Sequence, residues 1–239
     1  MSERITRWID QHDHPDYPLI PAATVLLVRD GPEGPETVLM RRSSQLSFAE
    51  GAWVFPGGRI DPDDYPEPDD HMGAAVRAAV REAHEEAGLH IAAETLEYYS
   101  HWIPPPQAPR RFSTWFFVAR APEGEVVVDQ GEILEHTWCR PSHALTLADR
   151  REIELLPPTW MTLHDLVQFT TVDELLSTVR TRGPLAYATK MVTTANGPAA
   201  LWDGDVAFDD DTEPEAHGPL HRLVMTQGRW RLEHTPSQQ

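Results

Sequence analysis

Three glutamates within five residues carry the main chemical signal in this chain, in the stretch Arg81-Glu82-Ala83-His84-Glu85-Glu86-Ala87-Gly88-Leu89. On a helix, Glu82 and Glu86 stand one turn apart and Glu85 lies three residues from Glu82. All three carboxylates then fall along one edge. Like charges at that spacing cost a helix roughly 0.2–0.5 kcal/mol per pair. Hard oxygen ligands gathered in this way suit magnesium or manganese. A solvated acidic face, with Arg81 pairing Glu85 four residues on, accounts for the same residues without a metal. Upstream stands Phe55-Pro56-Gly57-Gly58. Two glycines let a backbone approach a ligand or metal closely, which favours the metal-binding reading.

These residues need elements to hold them. The apolar run 22–28 reads as a buried strand, the segment 30–35 as a turn, and 37–41 as a second strand of a hairpin. Ala52-Trp53-Val54-Phe55 reads as a short strand ended by Pro56. Acids and prolines fill nearly every position of 61–70, so no regular element is expected there. A helix is expected from near Met72 through Ala87, with Gly88 as a left-handed stop. Further strands are expected at 97–100, 114–119 and 136–138, and helices at 145–151, 162–169 and 172–180. Strands, then a helix, then strands is an α+β pattern with a mixed sheet. Residues 1–17 read as an N-terminal arm, 18–182 as the main domain and 183–239 as a β-rich C-terminal extension, in which 223–225 and 230–232 pair as a closing hairpin. The run Asp209-Asp210-Asp211 reads as a solvated loop.

Of the 239 residues, 40% are hydrophobic and 24% charged, enough for one good-sized core. No run approaches the roughly 18 apolar residues a membrane helix requires. Met1 to Asp10 is polar and unlike a secretory signal. Cys139 is the single cysteine, which excludes a disulfide within the chain. A cytoplasmic protein is the expectation. The net charge of -18, with no basic run longer than two residues, argues against a long nucleic acid as partner. A small phosphorylated molecule remains open if a divalent cation supplies positive charge. Lys190 is the sole lysine, so fixed positive charge is almost all arginine.

A glycine turn followed by Arg-Glu-x-x-Glu-Glu-x-Gly-aliphatic resembles the box of the Nudix hydrolases. The resemblance implies that family's α/β/α sandwich, with the box as a loop-helix-loop, and hydrolysis of a nucleoside diphosphate derivative with Mg2+ or Mn2+. It implies Glu82, Glu85 and Glu86 as metal ligands, with the Gly58 carbonyl as a further one. Arg81 would hold the loop and a glutamate in place. One glutamate, or a later one such as Glu132 or Glu135, would act on the attacking water; Glu135 is taken as the catalytic candidate. The box departs from the family pattern through the insertion 61–72. Six residues after Gly58 stands Asp64, while the position eight before Arg81 is Gly73. The auxiliary acid is therefore open among Asp61, Asp64, Asp69, Asp70 or none.

Upstream, the spacing of Arg42-Ser43, Leu46, Gly51 and Phe55-Pro56-Gly57-Gly58 is similar to the extra motif of coenzyme A diphosphatases, with Ser47 where that motif has arginine. Phe48 and Gly51-Ala52 look closer to the peroxisomal-type branch. The likeness makes Arg42, Arg110 and Arg111 candidate substrate contacts, since planar guanidinium forks match phosphate; surface charge on a loop is the other reading of the arginines. Trp53 and Trp102 are either stacking surfaces for adenine or core residues. Coenzyme A is the first expected substrate. ADP-ribose, a dinucleotide or an oxidised nucleotide is the alternative, and a nucleotide-binding module without turnover is a third reading. A homodimer is expected by analogy with the family.

Overall fold

The computed structural model describes residues 17–43, 51–128, 131–209, 212–226 and 229–235. In chain order these form β1 (Leu19–Gly31), β2 (Gly34–Arg42), β3 (Trp53–Val54), β4 (Gly57–Arg59), α1 (His71–Ala87), β5 (Glu97–Ile103), β6 (Arg111–Arg120) and β7 (Ile133–Cys139). There follow α2 (Pro141–Asp149), α3 (Pro157–Leu166), α4 (Val172–Arg182), β8 (Leu185–Ala188), β9 (Lys190–Thr194), β10 (Gly197–Leu201), β11 (His221–Met225) and β12 (Trp230–His234).

β1 is the spine of the main sheet. It is parallel to β6 along most of its length, antiparallel to β2 through its C-terminal part and antiparallel to β4 through its N-terminal part. The path β3-β2-β1-β6-β5-β8 is extended by β7, which pairs with β2. Successive residues of a strand point to opposite faces, and β1 is apolar on both. Ala23, Val25 and Leu27 face α1, together with Val38, Met40 and Phe117. Leu26 and Val28 face α2–α4, together with Leu39, Phe116, Leu163, Leu175 and Val179. The sheet is therefore mixed and covered by helix on both sides, the expected α+β sandwich.

α1 lies close to the sheet because its inner face is alanine: Ala74, Ala75, Ala78, Ala79, Ala83 and Ala87 are all buried. Asp70 Oδ1 accepts the Gly73 amide at 2.8 Å and caps the first turn. Gly88, at φ 67°, closes the last turn in the left-handed region. A larger side chain at Ala79 would lift the helix and its carboxylates, at a cost of roughly 1–3 kcal/mol.

α4 begins at Val172 as expected, but α2 and α3 start earlier than periodicity suggests. α2 opens at Pro141 and α3 at Pro157-Pro158. Proline suits the first helical position, where its missing N–H has no partner to lose. β4 was not expected at all: its glycines are poor strand formers, and pairing with β1 imposes the strand.

Beyond Arg182 the chain stays attached to the sandwich. β8 pairs parallel to β5, and β9–β12 form a second, antiparallel sheet. The expected hairpin is there, with Leu223 opposite Leu232 and Met225 opposite Trp230. Trp202, Leu223 and Met225 share a core with Trp160 and Leu163. Trp102 stacks on Tyr187 with ring centroids 3.9 Å apart and is buried there, which makes it a core residue and removes it as a surface for adenine. Among the described residues no helix is long and apolar enough to cross a membrane.

Candidate active site

The glycine strand and the glutamate helix meet. A methyl group on Gly57 would sit 2.6 Å from the Thr24 side chain, and one on Gly58 would sit 2.7 Å from the Glu82 carboxyl carbon. Only glycine permits this approach. The Gly57 amide donates to Glu86 Oε2 at 2.8 Å. Thr24 pins the preceding residue, its hydroxyl donating to the Pro56 carbonyl at 2.6 Å.

Arg81 ties the helix to the loop. Its Nε and Nη2 donate to the two oxygens of Asp64 at 3.1 and 2.9 Å. Nη2 also donates to the Arg59 carbonyl at 2.9 Å, and Nη1 to Glu82 Oε1 at 2.8 Å and Glu85 Oε2 at 2.9 Å. Burial alone would raise the Asp64 carboxyl, but the Arg81 fork and the Asp61 amide outweigh it and hold it below the ordinary range. Of the four acids left open by the sequence, Asp64 is the one bound to Arg81 by hydrogen bonds. Asp61 stands 3.9 Å away, and Asp70 caps α1. The short 3-10 turn over Pro62–Asp64 delivers Asp64.

The carboxylates differ in state. Burial pushes Glu86 up to about 8; the Gly57 amide opposes this, the charges of Glu82 and Glu132 add to it, and Arg42 opposes it. Glu82 is raised for the same leading reason, burial, with Arg81 opposing and Glu85 and Glu132 adding. Glu85 has a side chain 56% exposed and is held by Arg81, as the solvated reading expected. Among the described residues no three His, Cys, Asp or Glu side chains converge as a ready-made coordination sphere. The acids share an electrostatic field without meeting at one point. This set fits a hard divalent cation, because all its donors are oxygens and the buried Glu86, which feels the charge of Arg42, has no ion pair within 4 Å among the described residues. Glu82, Glu86, Glu132, the Gly58 carbonyl and, once free of Arg81, Glu85 are the residues able to hold it.

Strand alternation sorts the remaining candidates. Arg42 follows Met40 on the α1 face, and its Nη2 lies 3.5 Å from Glu132 Oε2. Glu135 is paired with Arg41 in the ladder and by an ion pair at 2.7 Å, on the side of the sheet that Leu39 and Cys139 share with α2–α4. The structure thus brings Glu132, and not Glu135, to the carboxylates. Trp53 also packs towards the α2–α4 side, half-buried. Arg111 is registered with Leu19 and donates to the Tyr17 carbonyl at 2.9 Å. Since Gly58 is registered with Ala23, Arg111 stands four residues, about 13 Å, along β1 from the glycine turn. Arg110 precedes it on the loop. His84 is exposed and stacks on His90 at 4.1 Å. Residues 44–50, including Leu46, Ser47 and Phe48 of the upstream motif, lie outside the described residues.

Comparison with known proteins agrees with this geometry. A family model described as the NUDIX domain matches residues 18–159. A curated relative from Mycobacterium tuberculosis, a "Putative 8-oxo-dGTP diphosphatase 3", is 32% identical over 136 residues, which is 57% of this chain and 55% of the relative. The chain thus spans about half the length of the curated relatives it matches. The crystal structure of a NUDIX hydrolase from Alicyclobacillus acidocaldarius superposes with a TM-score of 0.63 at 24% identity, covering 68% of this chain and 97% of that one. That likeness is one of fold.

Proposed function

The chain belongs to the Nudix family, and from that premise we propose that it is a metal-dependent diphosphatase acting on a nucleoside diphosphate derivative. The observation that carries the reading is the buried Glu86 on the Gly57 amide, beside Glu82 packed on Gly58. A buried carboxylate with no ion pair among the described residues costs stability, and a cation-binding role gives a reason to keep it.

Glu82, Glu85, Glu86 and the Gly58 carbonyl hold magnesium or manganese in this reading. A divalent ion there supplies Lewis acidity at the phosphoryl oxygens and an acidified water. Arg81 is a positioning residue, locked to Asp64 and the Arg59 carbonyl. Glu132 takes the proton of the attacking water, a role its electrostatic reach to Glu82 and Glu86 supports better than the position of Glu135 does. Water attacks one phosphorus, and the bond from that phosphorus to the bridging oxygen breaks.

Coenzyme A is the first substrate to test, on the likeness running from Arg42 to the glycine turn. Cleavage would give adenosine 3′,5′-bisphosphate and 4′-phosphopantetheine. The name of the Mycobacterium tuberculosis relative favours a second reading, an oxidised nucleoside triphosphate. A panel of coenzyme A, ADP-ribose, diadenosine tetraphosphate and 8-oxo-dGTP, assayed with magnesium and with manganese, separates them. Metal-dependent release of a phosphorylated product from at least one is expected. Tight binding of a nucleotide with no turnover of any would leave a binding module instead.

A further inference from the structure

Arg42 and Arg81 are both close to the carboxylates, and the protein holds them differently. Arg81 uses all three nitrogens in hydrogen bonds with partners on three elements: Asp64 on the 3-10 turn, Glu82 and Glu85 on α1, and the Arg59 carbonyl on β4. Arg42 has its Nη2 3.5 Å from Glu132 Oε2, beyond the roughly 2.7–2.9 Å of a charge-assisted hydrogen bond. Its Nε is buried and meets no hydrogen-bond partner among the described residues. Attraction rather than directional bonding holds this guanidinium in place. The Glu132 side chain is 59% exposed and lies outside the core. A planar fork with donors in reserve suits phosphoryl oxygens.

We propose that Arg42 and Glu132 exchange partners when the site fills. Glu132 holds Arg42 while no cation is present, and turns to the attacking water when a cation is bound, leaving Arg42 to donate to a phosphoryl oxygen of the diphosphate. This rests on the diphosphatase reading and goes beyond it, since it makes cation and diphosphate binding reinforce one another through one ion pair. Such coupling is reciprocal: whatever factor the cation adds to diphosphate affinity, the diphosphate adds to cation affinity.

Calorimetric titration with α,β-methylene-ADP, a non-hydrolysable diphosphate, tests this with and without millimolar magnesium. In Arg42→Gln, metal-free affinity should stay unchanged, while the factor by which magnesium tightens binding falls about tenfold. In Glu132→Gln, which alters an exposed carboxylate, metal-free affinity should rise several-fold because Arg42 is released, and the magnesium factor should again shrink. Equal weakening by Arg42→Gln in both conditions would show an arginine always available and overturn the exchange. So would an unchanged metal-free affinity in Glu132→Gln, which decides the matter alone if the Arg42 variant does not fold. Manganese binding to the wild type, followed by its paramagnetic signal, separates the two levels. Failure to bind overturns the diphosphatase reading and the exchange together; binding without the expected factors overturns the exchange only.

Discussion

Two buried carboxylates, Glu86 in the main sandwich and Asp205 under the C-terminal sheet, are treated in opposite ways. Asp205 is enclosed with Arg222, their side chains 0% and 4% exposed. Arg222 donates from Nε at 2.7 Å, and the amides of Ala207 and His221 add 2.9 Å bonds. Burial would raise this carboxyl, but those donors outweigh it and keep it below the ordinary range. Glu86 receives the Gly57 amide and, among the described residues, no ion pair of its own, and burial wins. One acid is fully satisfied and holds a loop to a strand. The other is left under-compensated beside further acids. A protein tolerates such a cost where the group has a task that burial prepares it for.

Removing the charge at Glu86 separates task from cost. Glu86→Gln keeps the size and an acceptor for the Gly57 amide. Turnover with magnesium should fall by about a thousandfold or more, measured on whichever substrate the wild type cleaves, with the circular dichroism spectrum unchanged. Wild-type rates would show that the box is not the site. The corresponding change at the other acid, Asp205→Asn, leaves Arg222 buried without its counter-charge and should cost about 3–5 kcal/mol. For a chain of this length that lowers Tm by on the order of 10 °C, while turnover measured well below the transition stays near normal.

Stability against pH sharpens the contrast, because the two acids titrate in opposite senses. Glu86 has its folded pKa raised, from an ordinary 4.5 to about 8. Its contribution is therefore complete below 4.5 and is lost as pH rises through 8. Metal-free Glu86→Gln should be more stable than wild type at pH 9, by about 2–4 kcal/mol, and equal to it at pH 4. Asp205 has its folded pKa lowered from 3.8, so its contribution is complete above 3.8 and is lost as pH falls through the folded value. Denaturant melts of the metal-free protein across this range check both. A Glu86→Gln variant that gains nothing at pH 9 would mean that the buried charge is already compensated in the wild type.

The difference between the two acids also marks what could be read from the sequence. The box helix was legible because a period of 3.6 places Glu82, Glu85 and Glu86 on one edge, and Gly88 signals the stop. The two-sided burial of β1 was legible as an unbroken apolar run. Asp64 was legible only as one of four acids, because a 3-10 turn has no long periodicity to single out a residue. β4 was hidden, since two glycines read as a turn until β1 pairs with them. Asp205 and Arg222 meet across an irregular loop, and nothing in their spacing announces it. The choice between Glu132 and Glu135 was beyond the sequence for a related reason. It depends on the register shift between Arg41 and Arg42, where β7 slips against β2, and a slip of one residue exchanges the faces of a strand.

That register supplies the smallest expected effect. Glu135 pairs with Arg41 on the α2–α4 side, with both side chains close to half exposed. Exposed pairs of this kind contribute roughly 0–1 kcal/mol, and this one stands across the sheet from Glu86. Glu135→Gln should change turnover by less than about twofold, within the worth of such a pair. Glu132→Gln, three residues earlier, should lower it by about a hundredfold if this carboxylate takes the proton from water. The pair of variants is informative because both remove one charge from an exposed side chain on the same strand or just before it, so global electrostatics cannot account for a difference. Equal and large losses would mean that β7 twists to bring both acids to the glycine turn. A loss at Glu135 alone would mean that the register between β2 and β7 is shifted by one residue from that described.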